Sequence, residues 1–535
     1  MHLSALAKRL YLFLFVIIGI FYFYGLGRLP LLGPDEPRYA QVAREMFMRG
    51  DWVTPTLGGH TWFEKPALLY WLMMASFKIF GVTEWGARFG SAICGVLTIA
   101  AVWCVGRAVE RTSEEAHDFS FWTAMVAASS LGLVVFSRAA SFDVVITMTT
   151  AWALAFFLLH ELNAEGTLGK SSALLAGFYI CVGLSLVAKG LVGIVIPFGV
   201  VGFYFLLRRA WPSREVWLSL IGGVPIAIAV SALWYGPVIA RHGWPFINEF
   251  FIEHHFARFV SNKYHHPQPI YFYPAIILML ALPWSVFLID SLVKARRWAW
   301  RGTDSLGIVR VFSLAWLALP LVFFSFSGSK LPGYILPALP AAAFLIVDGF
   351  YRSVAKWPMR ATGVICFALA AGGFVYATQS KLISLECATL IAVPMIAAAV
   401  AAFLLRDRAR SLLMICGATA LLVLLVLACA APPVAQRESV KDLLQLADAR
   451  GYANAPVLAQ RSDDRTAQFY AHDRVIYNAD GEPVTFDEVS REQARTFGPR
   501  IVVFIPAEYA DDFRGAPNIE VLGDNGRIAV LGWQP

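Results

Sequence analysis

Charged residues are scarce in this chain, 15% of 535, while 58% are hydrophobic. Soluble domains carry about 25% charged residues, so the polar groups here are too few to cover a water-soluble fold of this size. The same scarcity excludes disorder, which needs a polar, charged chain. Cysteine is sparse too: the seven residues lie mostly in apolar runs, with no CxxC or Cys/His spacing. They read as small buried hydrophobes, and neither a disulfide framework nor a thiolate metal site is expected. Low-complexity segments and fixed-period repeats are also lacking. What is abundant is long apolar sequence. The chain reads as a polytopic, all-α membrane protein.

A spanning helix needs roughly 20 predominantly apolar residues. That rule predicts about thirteen spans, near 9–27, 86–106, 119–136, 142–160, 172–188, 190–207 and 216–240, then near 271–292, 309–326, 333–350, 361–378, 385–405 and 411–431. The first has Lys8 and Arg9 ahead of it, lacks a small-residue cleavage site and continues into Gly25-Leu26-Gly27-Arg28, so it reads as a signal anchor. The net charge of +7 raises the question of nucleic acid. The positions of the basic residues answer it. With the N-terminus inside, nineteen Lys and Arg fall in the predicted inner segments, while Arg138, Lys189, Lys330 and Lys381 stand singly in short outer connections. This is a topology signal, and no nucleic-acid role is needed to explain it.

Three outer segments are long: the loops 28–85 and 241–270 and the tail 432–535. The division expected is a transmembrane domain, 1–431, and a small outer α/β domain, 432–535. In the tail, helix-like stretches (Val440–Arg450, Phe486–Arg495) alternate with β-rich runs (Arg474–Tyr477, Arg500–Ile505, Arg527–Leu531). Asp524-Asn525-Gly526, between Ile519–Leu522 and the last run, predicts a hairpin turn.

Chemistry-bearing residues gather at the outer edge. The first loop holds Asp35-Glu36-Pro37-Arg38-Tyr39 and then Trp62-Phe63-Glu64-Lys65-Pro66. Tyr39, Val42 and Met46 fall at helical spacing, and Arg38, Gln41 and Glu45 lie elsewhere on the wheel, which predicts a helix in the interface plane. Asp35 either caps that helix or faces a site. Asp143 opens the fourth span, Lys189-Gly190 sits at a short turn, and Glu253, His254, His255 and Arg258 lie in the fourth outer loop, before His265-His266. Lys330 and Tyr334 enter the tenth span. Singly, each has a bland reading as a snorkelling lysine, a capping aspartate or a solvated histidine. Together they carry more weight, because ionisable groups at membrane level are expensive and usually functional. A transporter would place such groups near the midplane, in broken helices and repeated halves. An enzyme acting on a lipid phosphate would place carboxylates and cations at the interface, as here. A scaffold would leave the cluster without a purpose.

At these residues the chain resembles a known family. Asp35-Glu36-Pro37-Arg38-Tyr39-Ala40, the run Arg44-Glu45-Met46 to Gly50-Asp51-Trp52, and Phe63-Glu64-Lys65-Pro66 resemble the first outer loop of lipid A aminoarabinose transferases. More broadly they resemble polyprenyl-phosphate-sugar glycosyltransferases related to protein O-mannosyltransferases. Lys189-Gly190, Glu253-His254-His255 to Arg258-Phe259, and Lys330-Leu331-Pro332-Gly333-Tyr334 follow in the family's order. The resemblance implies a GT-C-type fold in the bacterial inner membrane, with its site and C-terminal domain on the periplasmic side. It implies an undecaprenyl-phosphate-linked sugar as donor, lipid A or another envelope acceptor, and an inverting single displacement. Asp35 and Asp143 would be the catalytic carboxylates, and Arg38, Lys65, Lys189, Arg258, Lys330 and Tyr334 would bind substrate. The only cofactor candidate is a divalent metal ion, for which Glu64, Glu253, His254 and His255 are the ligand candidates. Transfer of another lipid-linked sugar to a lipid, glycan or protein is the alternative within the class. A lipid-linked-sugar transporter is the alternative outside it.

Overall fold

A computed structural model describes residues 11–163, 171–257, 268–352, 355–459, 465–479 and 481–535 of the chain. After α1 (Tyr11–Phe23), the first outer loop holds α2 (Glu36–Arg49), a ribbon of β1 (Thr56–Leu57) and β2 (His60–Thr61), and α3 (Leu68–Phe80). The long α4 (Glu84–Thr112) leads to α5 (Phe119–Ser129) and α6 (Leu131–Ser137), a pair bent by 60°. Next come α7 (Phe142–Glu161), α8 (Ser171–Lys189), α9 (Val192–Arg208) and α10 (Arg214–Ile247), which widens into the π-helical stretch Asn248–Ala257. The short α11 (Phe272–Leu280) and α12 (Ser285–Lys294) precede α13 (Ser305–Ser325), a 3-10 segment (Pro332–Ala338) and α14 (Leu339–Arg352). The bundle closes with α15 (Trp357–Ser380), α16 (Leu385–Leu404) and α17 (Arg408–Leu425), which continues through a π-turn into α18 (Ala431–Arg437).

Among the described residues, nine helical segments are long and apolar enough to cross a membrane, or ten if the bent pair counts as one span. The remaining expected spans fall short for identifiable reasons. The described part of the first has 13 residues, and α9 has 17, its start set by Gly190 in the left-handed region (φ 67°). The stretch 271–292 breaks between α11 and α12, where Pro283 has no N–H to donate. Conversely, the apolar α3 lies inside what read as a loop. Its 13 residues span about 20 Å, too short for a hydrocarbon core of about 30 Å.

The cysteine reading is corrected at one pair. Cys387, in the first turn of α16, and Cys429, in the π-turn after α17, form a disulfide with Cα atoms 5.9 Å apart. Forty-two residues separate them, and only the antiparallel packing of the two helices brings them together. Of the five free cysteines, four are buried and Cys104 is half-buried, as small core residues would be.

The tail forms a β-sheet domain. It contains α19 (Lys441–Ala447), β3 (Val457–Ala459), α20 (Thr466–Tyr470), α21 (Arg491–Phe497), β4 (Ile501–Pro506), β5 (Ile519–Asp524) and β6 (Ile528–Trp533). The sheet order is β3-β4-β6-β5, with β3 parallel to β4 and the other pairs antiparallel. The period-2 alternation of β4 sorts its side chains: Val502 and Phe504 join Leu443, Leu444 and Val530 on one face, while Ile501, Val503 and Ile505 join Leu531 and Trp533 on the other. Asp524-Asn525-Gly526 makes the expected hairpin, with Gly526 at φ 83°. The run Arg474–Tyr477 forms only isolated bridges, and β3 was not anticipated.

This domain sits directly on the first outer loop. Arg44 of α2, 5% exposed, donates Nη1 to the Phe469 carbonyl at 2.9 Å and lies 2.6 Å from His472 Nδ1. Tyr470 Oη receives the Leu31 N–H at 2.7 Å and donates to Glu84, which also pairs with Lys441. A Cβ on Gly58 (φ 60°) would fall 2.4 Å from the Tyr477 ring, so the β1–β2 turn admits only glycine there. The helix expected in the interface plane is covered by this domain: Gln41 and Arg44 are buried along with Val42 and Met46.

Burial, Arg44 and Arg474 hold His472 below its usual pKa of 6.5, outweighing Asp473 and Asp448. Neutral His472 offers Nδ1 as an acceptor to Arg44; protonation puts an N–H and a positive charge against that guanidinium. A histidine depressed in the docked state costs docking as pH falls below its free value. The protection factors of the amides over 466–477, which correct exchange rates for the base-catalysed rate of a free chain, should therefore be higher at pH 8 than at pH 5. His472→Asn keeps an acceptor but does not titrate, and should flatten that difference; equal protection factors at both pH values in the native chain would refute the assignment.

Candidate functional site

The start of α2 is fixed by a buried charge pair. Glu36 and Arg88 are 7% and 4% exposed. The Glu36 carboxylate accepts from Arg88 Nε at 2.7 Å and Nη2 at 2.8 Å, from the Leu32 N–H at 2.9 Å and from the Ala140 N–H at 2.8 Å. Arg88 gives its remaining donors to the carbonyls of Leu26, Leu29 and Pro30, each at 2.7 Å. One residue pair thus joins the first outer loop, α4 and the strap leading into α7. Its signal in the sequence is Arg88 itself, a charge just inside the apolar run predicted at 86–106, where an unpaired cation would be costly.

That arrangement sets two neighbouring carboxylates around a cavity of about 320 Å³. Asp35 precedes Glu36, and Asp143 follows Ala140 by one turn, with Ser141 capping α7 through the Asp143 N–H. Asp35, Glu64, Lys65, Asp143, Lys189, His254 and Tyr334 all line the cavity. Asp35 makes no side-chain cap and already has helical φ and ψ, so the capping reading has no bond to rest on. Its carboxylate instead accepts from Arg38 Nη2 at 2.7 Å. Arg38 also lies 3.8 Å from Glu64 and stacks over the Trp62 ring at 5.1 Å. Burial works against its charge, yet Glu64 and Asp35 more than offset this and raise its pKa above the ordinary arginine value. Lys65 pairs with Glu64 at 2.7 Å. Across the cavity Lys189 pairs with Asp143, and its ammonium lies 4.4 Å from the centre of the Tyr334 ring. Lysines held against carboxylates beside an open cavity can be recruited by a phosphate.

The other candidates lie elsewhere. Lys330 is buried, donates to the Gln268 carbonyl at 3.0 Å and does not line the cavity. Glu253 accepts from Asn248 Nδ2 at 3.3 Å and is also outside the lining. Arg258, His265, His266 and the side chain of His255 lie outside the described residues. Among the described residues no three His, Cys, Asp or Glu side chains converge as metal ligands, and Glu64 is engaged by two cations. The described candidates therefore do not fit a metal site.

Gly333, noted in the sequence only as part of a matching run, completes the site. Gly333 lets the 3-10 segment cross α7 so closely that a Cβ would fall 1.9 Å from Asp143 Oδ2 and 2.8 Å from the Phe136 ring.

Residues 8–296 match the family model "Dolichyl-phosphate-mannose-protein mannosyltransferase". The undecaprenyl phosphate-alpha-4-amino-4-deoxy-L-arabinose arabinosyl transferase of Serratia proteamaculans is 32% identical over 328 residues, covering 60% of this chain and 55% of that protein. The protein of the same name from Pseudomonas aeruginosa is 33% identical over 339 residues, covering 62% and 58%. The chain thus spans somewhat more than half the length of these curated relatives. The fold matches the crystal structure of ArnT from Cupriavidus metallidurans bound to undecaprenyl phosphate with a TM-score of 0.77, at 22% identity, over 99% of this chain and 98% of that one.

Overpacking a tight contact costs about 1–3 kcal/mol. Gly333→Ala should leave the bundle folded, as judged by its melting in detergent. The added methyl must push the Asp143 carboxylate off Lys189, so turnover should fall roughly tenfold or more. Unchanged turnover would show that the Asp143–Lys189 geometry is not critical.

Proposed function

Because the chain belongs to the dolichyl-phosphate-mannose-protein mannosyltransferase family, we propose that it is a membrane glycosyltransferase using a polyprenyl-phosphate-linked sugar. The favoured reaction is transfer of 4-amino-4-deoxy-L-arabinose from undecaprenyl phosphate to a phosphate of lipid A, as the names of the curated relatives suggest. The observation that carries the reading is the cavity itself: Asp35 and Asp143 face it from two elements, and Lys65 and Lys189 flank them. These groups stand at the helix ends, where a lipid headgroup sits, and not midway along the helices as a transport path would require.

In this reading Lys65 and Lys189 hold the donor phosphate, with Arg258 as a further ligand and Tyr334 beside Lys189. The bond between the anomeric carbon and the phosphate oxygen breaks as an acceptor oxygen attacks from the opposite face, inverting the anomeric centre. Undecaprenyl phosphate leaves with the bonding electron pair. An ionised phosphate acceptor needs no base, and the carboxylates then orient the sugar and stabilise positive charge developing on it. A hydroxyl acceptor would give its proton to Asp35, which Arg38 holds in place.

Two observations support a periplasmic site in the inner membrane. Lys and Arg cluster in the loops opposite the tail. The Cys387–Cys429 disulfide lies at the tail end of its helices, and disulfides persist in oxidising compartments.

The test is reconstitution with the aminoarabinose donor and lipid A, read by mass spectrometry. Native protein should transfer the sugar, whereas Asp35→Asn and Asp143→Asn should insert normally and transfer about 10²-fold less. Near-native transfer by both variants would remove the catalytic assignment. Transfer of a different sugar by the native protein would keep the class and change the substrate.

A further inference from the structure

The end of the bundle opposite the candidate site carries a second system of cavities. Asp143, Lys189 and Val192 place one end of α7, α8 and α9 in the site. The other ends, at Glu161, Ser171 and Arg208, are about 25 Å away at 1.5 Å per residue, near the far edge of the hydrocarbon core. Here an apolar cleft of about 640 Å³ is walled by Phe157, Phe178, Phe198 and Phe205. Tyr179 and Ser219 also line a wider adjoining cleft of about 1420 Å³ that includes Glu161, Arg214 and Glu215. Two glycines leave this space unfilled: Gly202 lines the apolar cleft and Gly222 the wider one, and a Cβ on either would meet nothing within 4 Å.

The charges at the mouth favour an anion. Arg208 is occupied, donating to Tyr204 Oη at 2.7 Å and to the Gly302 carbonyl at 3.1 Å. Arg209, which lines the apolar cleft, and Arg214 are exposed and have no side-chain partner among the described residues. The two carboxylates of the wider cleft are both engaged by hydroxyls: Glu161 accepts from Tyr204 Oη at 3.1 Å and Glu215 from Ser171 Oγ at 2.7 Å. Trp211 and Trp217, which also line the cleft, are 86% and 51% exposed, at the level where aromatic side chains meet lipid headgroups. A phenylalanine-walled cleft open to a bilayer suits a hydrocarbon chain, and Arg209 on this cleft with Arg214 on the adjoining one offers two guanidiniums to a phosphate.

We propose that this cleft binds an anionic phospholipid of the leaflet opposite the candidate site. One acyl chain occupies the space beside Gly202, and the phosphate sits between Arg209 and Arg214. The proposal is independent of the transferase reading, since none of its residues lies in the candidate site.

Native mass spectrometry of the delipidated full chain tests it, with dioleoyl phosphatidylglycerol and dioleoyl phosphatidylethanolamine as probes. Phosphatidylglycerol should be retained at least tenfold more strongly. Arg209→Gln with Arg214→Gln should abolish that preference while leaving weak binding of both lipids. Gly202→Phe starts from a position where an added Cβ meets nothing within 4 Å, puts a ring into the cleft, and should abolish retention of both at an unchanged melting temperature. Equal retention of the two lipids by the native chain, or retention of phosphatidylglycerol unaffected in both variants, would overturn the proposal. So would stronger retention of undecaprenyl phosphate than of phosphatidylglycerol that Gly202→Phe removes.

Discussion

The buried Arg88–Glu36 pair is the constraint on which the rest of the site depends. Burying an ion pair costs desolvation energy that is recovered only when every donor and acceptor is satisfied. Here that condition is met by geometry: two bonds join the pair, three backbone carbonyls take the other guanidinium hydrogens, and two backbone N–H groups complete the carboxylate. Removing one partner of such a pair costs about 3–5 kcal/mol, because it strands the other charge. Those backbone groups belong to the segments that carry Asp35 and lead to Asp143. The pair therefore fixes the position of the two candidate catalytic carboxylates without lying between them.

A second layer keeps the first loop from drifting. Arg44, Leu31 and Glu84 are bonded to the tail, and the Tyr477 ring closes over Gly58. The β-sheet domain thus presses on α2 along the side away from the cavity. Glu45 ties the same helix to the β1–β2 turn by accepting the Gly58 N–H at 2.7 Å. The first outer loop is in this way tied down at Leu31, Arg44, Gly58 and Glu84.

The membrane class and most spans were legible because run length and charge placement are properties of the chain alone. The break at Pro283 was not, since one proline in an apolar run leaves its hydropathy almost unchanged. The Cys387–Cys429 bond and the contacts of Arg44 with residues 469 and 472 were hidden for another reason: they join positions far apart in sequence. Asp35, Lys65, Asp143, Lys189 and Tyr334 stood out as polar groups at membrane level, and the fold gathers them around one cavity. Lys330 carried the same signal yet turns to the Gln268 carbonyl, because snorkelling and site lysines look alike in a sequence. Arg88 was passed over although it is a charge inside an apolar run, and the packing role of Gly333 left no trace in the sequence, because the closeness of two crossing segments is written only in three dimensions.

A double-mutant cycle on Glu36 and Arg88 tests the central claim most directly. The measurement is the rate of sugar transfer by native, Glu36→Gln, Arg88→Met and doubly substituted protein at equal membrane insertion. If the pair acts as one unit, each single change should reduce transfer by two orders of magnitude or more, and the double variant should be no worse than either. Losses that multiply, or near-native transfer by both single variants, would contradict the account.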